Sequence, residues 1–218
     1  MDALIGVVPD DWAEYQLEKV CDILPGPSAK KIDSSEHGSA GIPVVTPRDL
    51  QHNRVADDCA TFVSQDAAHE LSRYRLHPDD IVCARTGHLG RQGLVGENQS
   101  GWLIGSGCLR LRARKVISAR YLVYYLGHPA VRDWIVRNAG GAVIPTLSTR
   151  MIGSLPVVVP TAAVQAITAD ILGALDDKVI VHDQISRTTA VLRDAALIWL
   201  LTGLGAAGSV DSQATEFN

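Results

Sequence analysis

Residues 155–204, LPVVVPTAAVQAITADILGALDDKVIVHDQISRTTAVLRDAALIWLLTGL, decide how the chain is organised. Leu155-Pro156-Val157-Val158-Val159-Pro160 reads as an apolar strand bounded by prolines. Thr161 then stands where a helix N-cap belongs, and the following run has no proline and only Gly173 before Gly203. About 40 residues of helix measure roughly 60 Å at 1.5 Å per residue. That rod exceeds the span of a 160-residue domain, whose radius of gyration is about 15 Å. The chain therefore divides into a globular domain over 1–160, a long helix over 161–204 and a disordered tail over 205–218.

A stripe at three- and four-residue spacing runs along this helix through Val164, Thr168, Ile171, Leu175, Lys178, His182, Ile185, Thr189, Leu192, Ala196 and Trp199. Leu172, Val179 and Leu200 lie beside it. An apolar seam interrupted by polar residues is expected of a helix that docks on a specific partner helix.

Upstream the pattern is mixed. Trp12, Leu17, Val20 and Ile23 predict a short amphipathic opening segment, ended by Pro25-Gly26-Pro27-Ser28. Ile42-Pro43-Val44-Val45-Thr46 reads as a strand, with Pro43 confining it to a strand end or a sheet edge. Asp80 to Arg85 is a second strand entering a turn at Thr86-Gly87, and Leu94-Val95-Gly96 and Trp102 to Arg114 supply more. In the last of these Cys108, Arg110, Arg112 and Arg114 alternate with Leu109, Leu111 and Ala113, placing three arginines on one face. From Ser118 the spacing turns helical, through Tyr121, Leu122, Tyr125 and Leu126 to a stop at Gly127. Pro129 restarts a helix carrying Val131, Trp134 and Ile135, and a glycine-rich loop, Gly140 to Ser148, follows. The fold class is α+β, a mixed-sheet domain followed by one long helix.

With 218 residues and 46% hydrophobic side chains, the chain can build a real core. The uncharged stretch Ala195 to Val210 is broken by glycines and a serine, short of the roughly 20 apolar residues of a membrane span. Asp2 replaces a positive leader, so the sequence predicts a soluble, cytoplasmic protein. Cys21, Cys59, Cys83 and Cys108 fit no zinc spacing and no disulfide framework, and read as reduced, buried thiols.

A net charge of −4 conceals strong segregation. Residues 1–80 hold 7 basic and 15 acidic side chains, a balance of −8. Residues 85–150 hold 10 basic against 2 acidic, a balance of +8. Arginine outnumbers lysine 15 to 5, and the planar guanidinium grips a phosphate or a guanine edge with two parallel bonds. A polyanionic partner fits this block; so do solvated arginines, or arginines paired with the acidic first part.

Catalytic signatures are missing. Gly105-Ser106-Gly107 opens like a dinucleotide fingerprint, but Arg110 occupies the third glycine's position inside a strand pattern. No phosphate loop, nucleophile elbow or His-Glu-x-x-His occurs, and Pro78-Asp79 has no acid-x-Lys partner nearer than Asp176-Asp177-Lys178. The seven histidines show no i, i+4 pair, so no local metal site is predicted. His182 on the helix seam reads as a packing or register residue.

Four segments in order carry a resemblance: Ile42 to Leu50, Asp80 to Arg91, Gly140 to Ser148, and Leu155 to Pro160 leading through Gln165-Ala166-Ile167 into the long helix. Together they resemble the specificity subunit of type I restriction-modification systems, over about residues 12 to 204. The resemblance implies a non-catalytic subunit whose target recognition domain reads half of a bipartite DNA site, while a long helix spaces it from a second such domain. It implies docking of modification subunits, which transfer methyl from S-adenosylmethionine to adenine, and of restriction subunits that translocate and cut DNA. No cofactor is expected on this chain itself; S-adenosylmethionine and ATP with magnesium belong to the partner subunits. Usual members carry two recognition domains and two helices, whereas this sequence has one of each. Two copies joined antiparallel through their helices, at Ile171, Leu175, Val179, His182, Ile185 and Leu192, would restore both and read an interrupted palindrome. Phosphate contacts are expected from Lys30, Lys31, Arg85, Thr86, Gly87 and Arg91, and base contacts from Arg48, Arg73, Arg75 and His88. The rival functions are an assembly or decoy subunit that occupies the docking surface without reading DNA, and a nuclease.

Overall fold

The computed structural model describes residues 1–33, 41–141 and 145–202. The tail 205–218, most of the Ser/Gly-rich loop and the middle of the 140–148 loop lie outside the described residues. The chain divides into two compact units, Met1–Ala174 and Leu175–Asn218.

At the centre of the first unit stands the strand Asp80–Ala84, buried at all five positions. It lies inside a six-stranded sheet ordered Cys21–Pro25, Cys108–Ala113, Asp80–Ala84, Gln92–Leu94, Arg54–Val55, Leu50–Gln51. Neighbours are antiparallel except Gln92–Leu94 beside Arg54–Val55. An uninterrupted apolar run is what a strand covered on both faces requires. Ile81, Cys83, Leu109 and Leu111 face the helices Ala119–Gly127 and Pro129–Asn138, in a core with Leu122, Leu126, Val131 and Ile135. Val82, Ala84 and Cys108 face the other way, into a second core with Val45, Leu50, Val55, Leu76 and Ile104. A three-stranded sheet (Leu103–Ile104, Ile42–Val45, Phe62–Val63) and the pair Pro156–Val159 with Ala13–Gln16 complete the main architecture. The Tyr121 and Tyr125 hydroxyls donate to the Val158 and Pro156 carbonyls at 3.0 and 2.9 Å, tying helix to strand.

The mixed α+β class and the long helix are as expected from the pattern, and several local expectations are corrected. The 12–23 segment is no single amphipathic element: it forms the strand Ala13–Gln16, one helical turn Leu17–Val20 and the strand Cys21–Pro25. Of the two places expected for Pro43 it takes the strand end and not the sheet edge, since Ile42–Val45 is the middle strand of its sheet. Val44 N–H points to Thr61, so the nitrogen of Pro43 faces the other flank, where Leu103–Ile104 reaches only Val44 and Val45. The strand near Leu94 is Gln92–Leu94, earlier in the chain than the apolar run suggested. Trp102 to Arg114 is two strands in two sheets, split at Gly105–Gly107. There the chain crosses between sheets so closely that a Cβ on Gly26 would fall 1.9 Å from the Gly105 carbonyl oxygen. A two-residue hairpin, Leu50–Gln51 to Arg54–Val55, turns through His52 and Asn53 at φ +48° and +58°, both left-handed as a type I′ turn demands.

The long helix is Ala162–Leu201, 40 residues. Its first turns belong to the first unit, which is why that unit extends past residue 160. Gln165, 5% exposed, accepts from Ser118 N–H at 2.7 Å and donates to the Pro160 carbonyl at 2.9 Å. Those bonds satisfy a helix-start donor and a strand-end acceptor that the core would otherwise strand. The stripe's early members Val164 and Thr168 are accordingly half-buried in the first unit and are not free for a partner.

All four cysteines are free and buried. Burial raises the thiols of Cys21 and Cys59 to about 12, with Asp22 adding to the first and Asp49 to the second, and burial pushes Cys83 and Cys108 higher still. At pH 8 a thiol of that pKa is ionised to roughly one part in ten thousand. A disulfide reagent should therefore find no rapidly reacting thiol in the native chain and all four in denaturant; a fast native equivalent at pH 8 would contradict this packing.

Candidate nucleic-acid interface

The surface can be built from the ends of strands. Where Ile42–Val45, Asp80–Ala84 and Cys108–Ala113 meet their loops, three turns converge on Gly107. A Cβ there would lie 3.2 Å from the Pro47 ring and 3.2 Å from Thr86 Oγ1. Arg48 is exposed on the turn Pro47–Asp49, which closes on itself as Thr46 N–H and Oγ1 both donate to Asp49 Oδ2 at 2.7 Å. Arg85 follows the central strand, its N–H donating to Gly107 O at 2.8 Å and its carbonyl accepting from Leu147 N–H at 2.9 Å. Its Nε is buried with no hydrogen-bond partner. Thr86 bridges to Thr146. Beyond it the hairpin turns through Gly87 (φ +74°) and Gly90 (φ +83°), which leaves His88 and Arg91 exposed.

Arg48, Arg85, Thr86, Gly87, His88 and Arg91 thus share one end of the central sheet. Lys30 and Lys31 lie on the short helix Ala29–Asp33, anchored by Ile32 in a third core with Val44 and Leu103. Arg73 and Arg75 sit elsewhere, on the turn that Arg110 holds against the sheet by donating to their carbonyls at 3.4 and 3.1 Å. The Arg75 guanidinium itself donates to Gly101 O at 2.9 Å, a bond that fixes the turn.

The arginine row on Cys108–Ala113 is largely spent inside the molecule. Arg112 Nε and Nη2 donate to Asp80 Oδ1 and Oδ2, both at 2.7 Å, and Arg114 Nη2 to Asp22 Oδ1 at 2.7 Å. The Asp80 hydrogen bond raises the pKa of Arg112, whereas burial and then the charge of Arg112 lower that of Arg110. Arg120 pairs with Asp170 at 3.1 Å. Two arginines of the +8 block, Arg112 and Arg114, therefore answer acids of the first eighty residues, the alternative that spacing alone left open. Arg132 enters the surface unforeseen: its side chain lies against Gly90, in a contact between a helix and a hairpin tip that no periodicity encodes.

Among the described residues no group of three or more His, Cys, Asp and Glu could hold a metal ion, and no helix is long and apolar enough to cross a membrane. Residues 9–188 match the type I restriction modification DNA specificity domain. The chain belongs to this family. Its strand-end surface is thus a surface of a DNA specificity domain.

This specificity-domain chain is 23% identical over 208 residues to the type I restriction enzyme StySPI specificity subunit of Salmonella potsdam, covering 91% of the chain and 44% of that relative. Among solved structures it is similar to the type I S subunit from M. genitalium, with TM-score 0.60 and 17% identity over 85% of this chain and 44% of that one. It is also similar to the HsdS subunit of Thermoanaerobacter tengcongensis, with TM-score 0.54 and 18% identity over 87% of this chain and 41% of that one. The specificity-domain chain spans less than half the length of each of these relatives.

Proposed function

We propose that this chain reads one half of a bipartite DNA site through the strand-end surface around Gly107. It pairs with a second copy through the helix Ala162–Leu201, and the dimer presents two half-sites to adenine-methylating and restriction subunits. One observation carries the reading: the recognition unit is followed by a helix that, from Leu175 on, leaves Leu175, Val179, Ile185 and Leu192 44–68% exposed. A two-fold pairing of such helices covers that apolar surface and sets two recognition units at a fixed spacing. The exposed Arg48, His88 and Arg91 gathered at that strand end support DNA reading over a decoy role, because an assembly subunit has no need of basic side chains there.

The test is light scattering of the full chain, alone and with a random duplex library from which bound sequences are recovered. A mass of twice 23.4 kDa and enrichment of an interrupted palindrome are expected. A monomer that shows no salt-dependent binding would refute the proposal.

A further inference from the structure

At the edge of the strand-end surface three segments close around one side chain. Gly90, left-handed at φ +83°, is approached by the Arg132 stem: a Cβ there would lie 3.4, 3.6 and 3.8 Å from Arg132 Cγ, Cβ and Cδ. A Cβ at Gly127, where one helix hands over to the next, would lie 3.8 Å from Arg132 Nη2 and 3.6 Å from Asn53 Oδ1 on the His52–Asn53 turn. The stem of Arg132 is therefore packed on the hairpin tip, in a residue that is exposed as a whole. Arg110, Arg112, Arg114 and Arg120 are all engaged, but Arg132 and Arg91 have no ion pair among the described residues. Neighbouring Asp133 accepts through its carbonyl, from Arg137 Nε at 3.2 Å. A guanidinium whose aliphatic part is packed and whose fork is open has already lost much of the rotamer freedom that binding would otherwise cost.

We infer that Arg132 is a positioning residue for DNA: with Arg91 it holds a backbone phosphate against the hairpin tip, so that His88 is presented to a groove. This rests on the DNA-reading proposal above and deepens it. A phosphate contact is indifferent to sequence and releases counterions, so its signature is a change in salt dependence that is equal for all duplexes.

The experiment measures the Kd of the full chain for its selected duplex and for a scrambled one by fluorescence anisotropy, over a range of KCl. Arg132→Gln should weaken both duplexes by roughly tenfold and reduce the slope of log K against log salt by about one. Arg132→Lys should keep the slope, and Arg137→Gln, on the same helix with its Nε committed to Asp133, should match wild type. Thermal melting of each variant at the wild-type temperature excludes a folding defect. Wild-type affinity and slope in Arg132→Gln overturn the inference and leave the DNA-reading proposal standing. A loss confined to the selected duplex overturns the phosphate assignment in favour of base reading. Wild-type protein without salt-dependent binding overturns both.

Discussion

Asp80→Ala should destabilise the first unit more than any other polar substitution in it. The carboxylate is 1% exposed and carries three bonds: two from Arg112, both 2.7 Å, and one from His77 N–H at 2.8 Å. Breaking a buried pair leaves the other charge uncompensated, a loss of about 3–5 kcal/mol. Arg112 keeps 36% of its side chain exposed, which screens the pair and moves the expectation to the lower limit, about 3 kcal/mol. For a unit of this size that is roughly 6–12 °C in Tm. The bond to His77 also holds the turn in which Asp79 adopts φ +65°. Asp80→Asn, which keeps an acceptor for His77 but not the charge, should fall between wild type and Asp80→Ala. The double variant Asp80→Ala/Arg112→Leu should recover part of the loss, because no unpaired guanidinium remains. Thermal melting of the four proteins checks this, and a Tm for Asp80→Ala within about 2 °C of wild type would show that the pair contributes nothing.

The second large effect concerns association. Leu175→Asp or Ile185→Asp should convert a dimer into a monomer while leaving the melting of the first unit unchanged. Burying a leucine or isoleucine side chain is worth about 1.5–3 kcal/mol, and a two-fold interface buries each residue twice. A loss of at least about 3 kcal/mol weakens the dimer more than 100-fold before the cost of a buried carboxylate is added. Val191 provides the contrast, being 70% exposed and off the stripe, so Val191→Asp should leave the mass unchanged. Sedimentation at matched concentrations separates the outcomes. Dissociation by Val191→Asp but not by Leu175→Asp would move the seam to the other side of the helix.

Much of this was legible in the residues. The continuous apolar run Asp80–Ala84, the stops at Gly127 and Gly203, the restart at Pro129 and the proline-free stretch after Thr161 are each local signals. The elements they predict were found with small shifts at their ends. The two-residue strands were not legible, because Leu50–Gln51 and Arg54–Val55 are too short to show a period, and their hairpin depends on left-handed His52 and Asn53 where glycine would have advertised the turn. The break at Gly105 was hidden for a related reason: strand-forming apolar residues stand on both sides of it, although the chain changes sheet.

The candidate site divides along the same line. Alternation determined that Arg110, Arg112 and Arg114 share a face, since successive side chains of a strand must point to opposite sides. Only the register of strands far apart in sequence decided what that face meets. Arg112 stands opposite Asp80, 32 residues earlier, and Arg114 reaches Asp22, 92 residues earlier. Local sequence sets period and propensity, which act over a few residues; pairing of charges and the seating of the Arg132 stem on Gly90 arise only when loops close and bring distant backbone within about 4 Å.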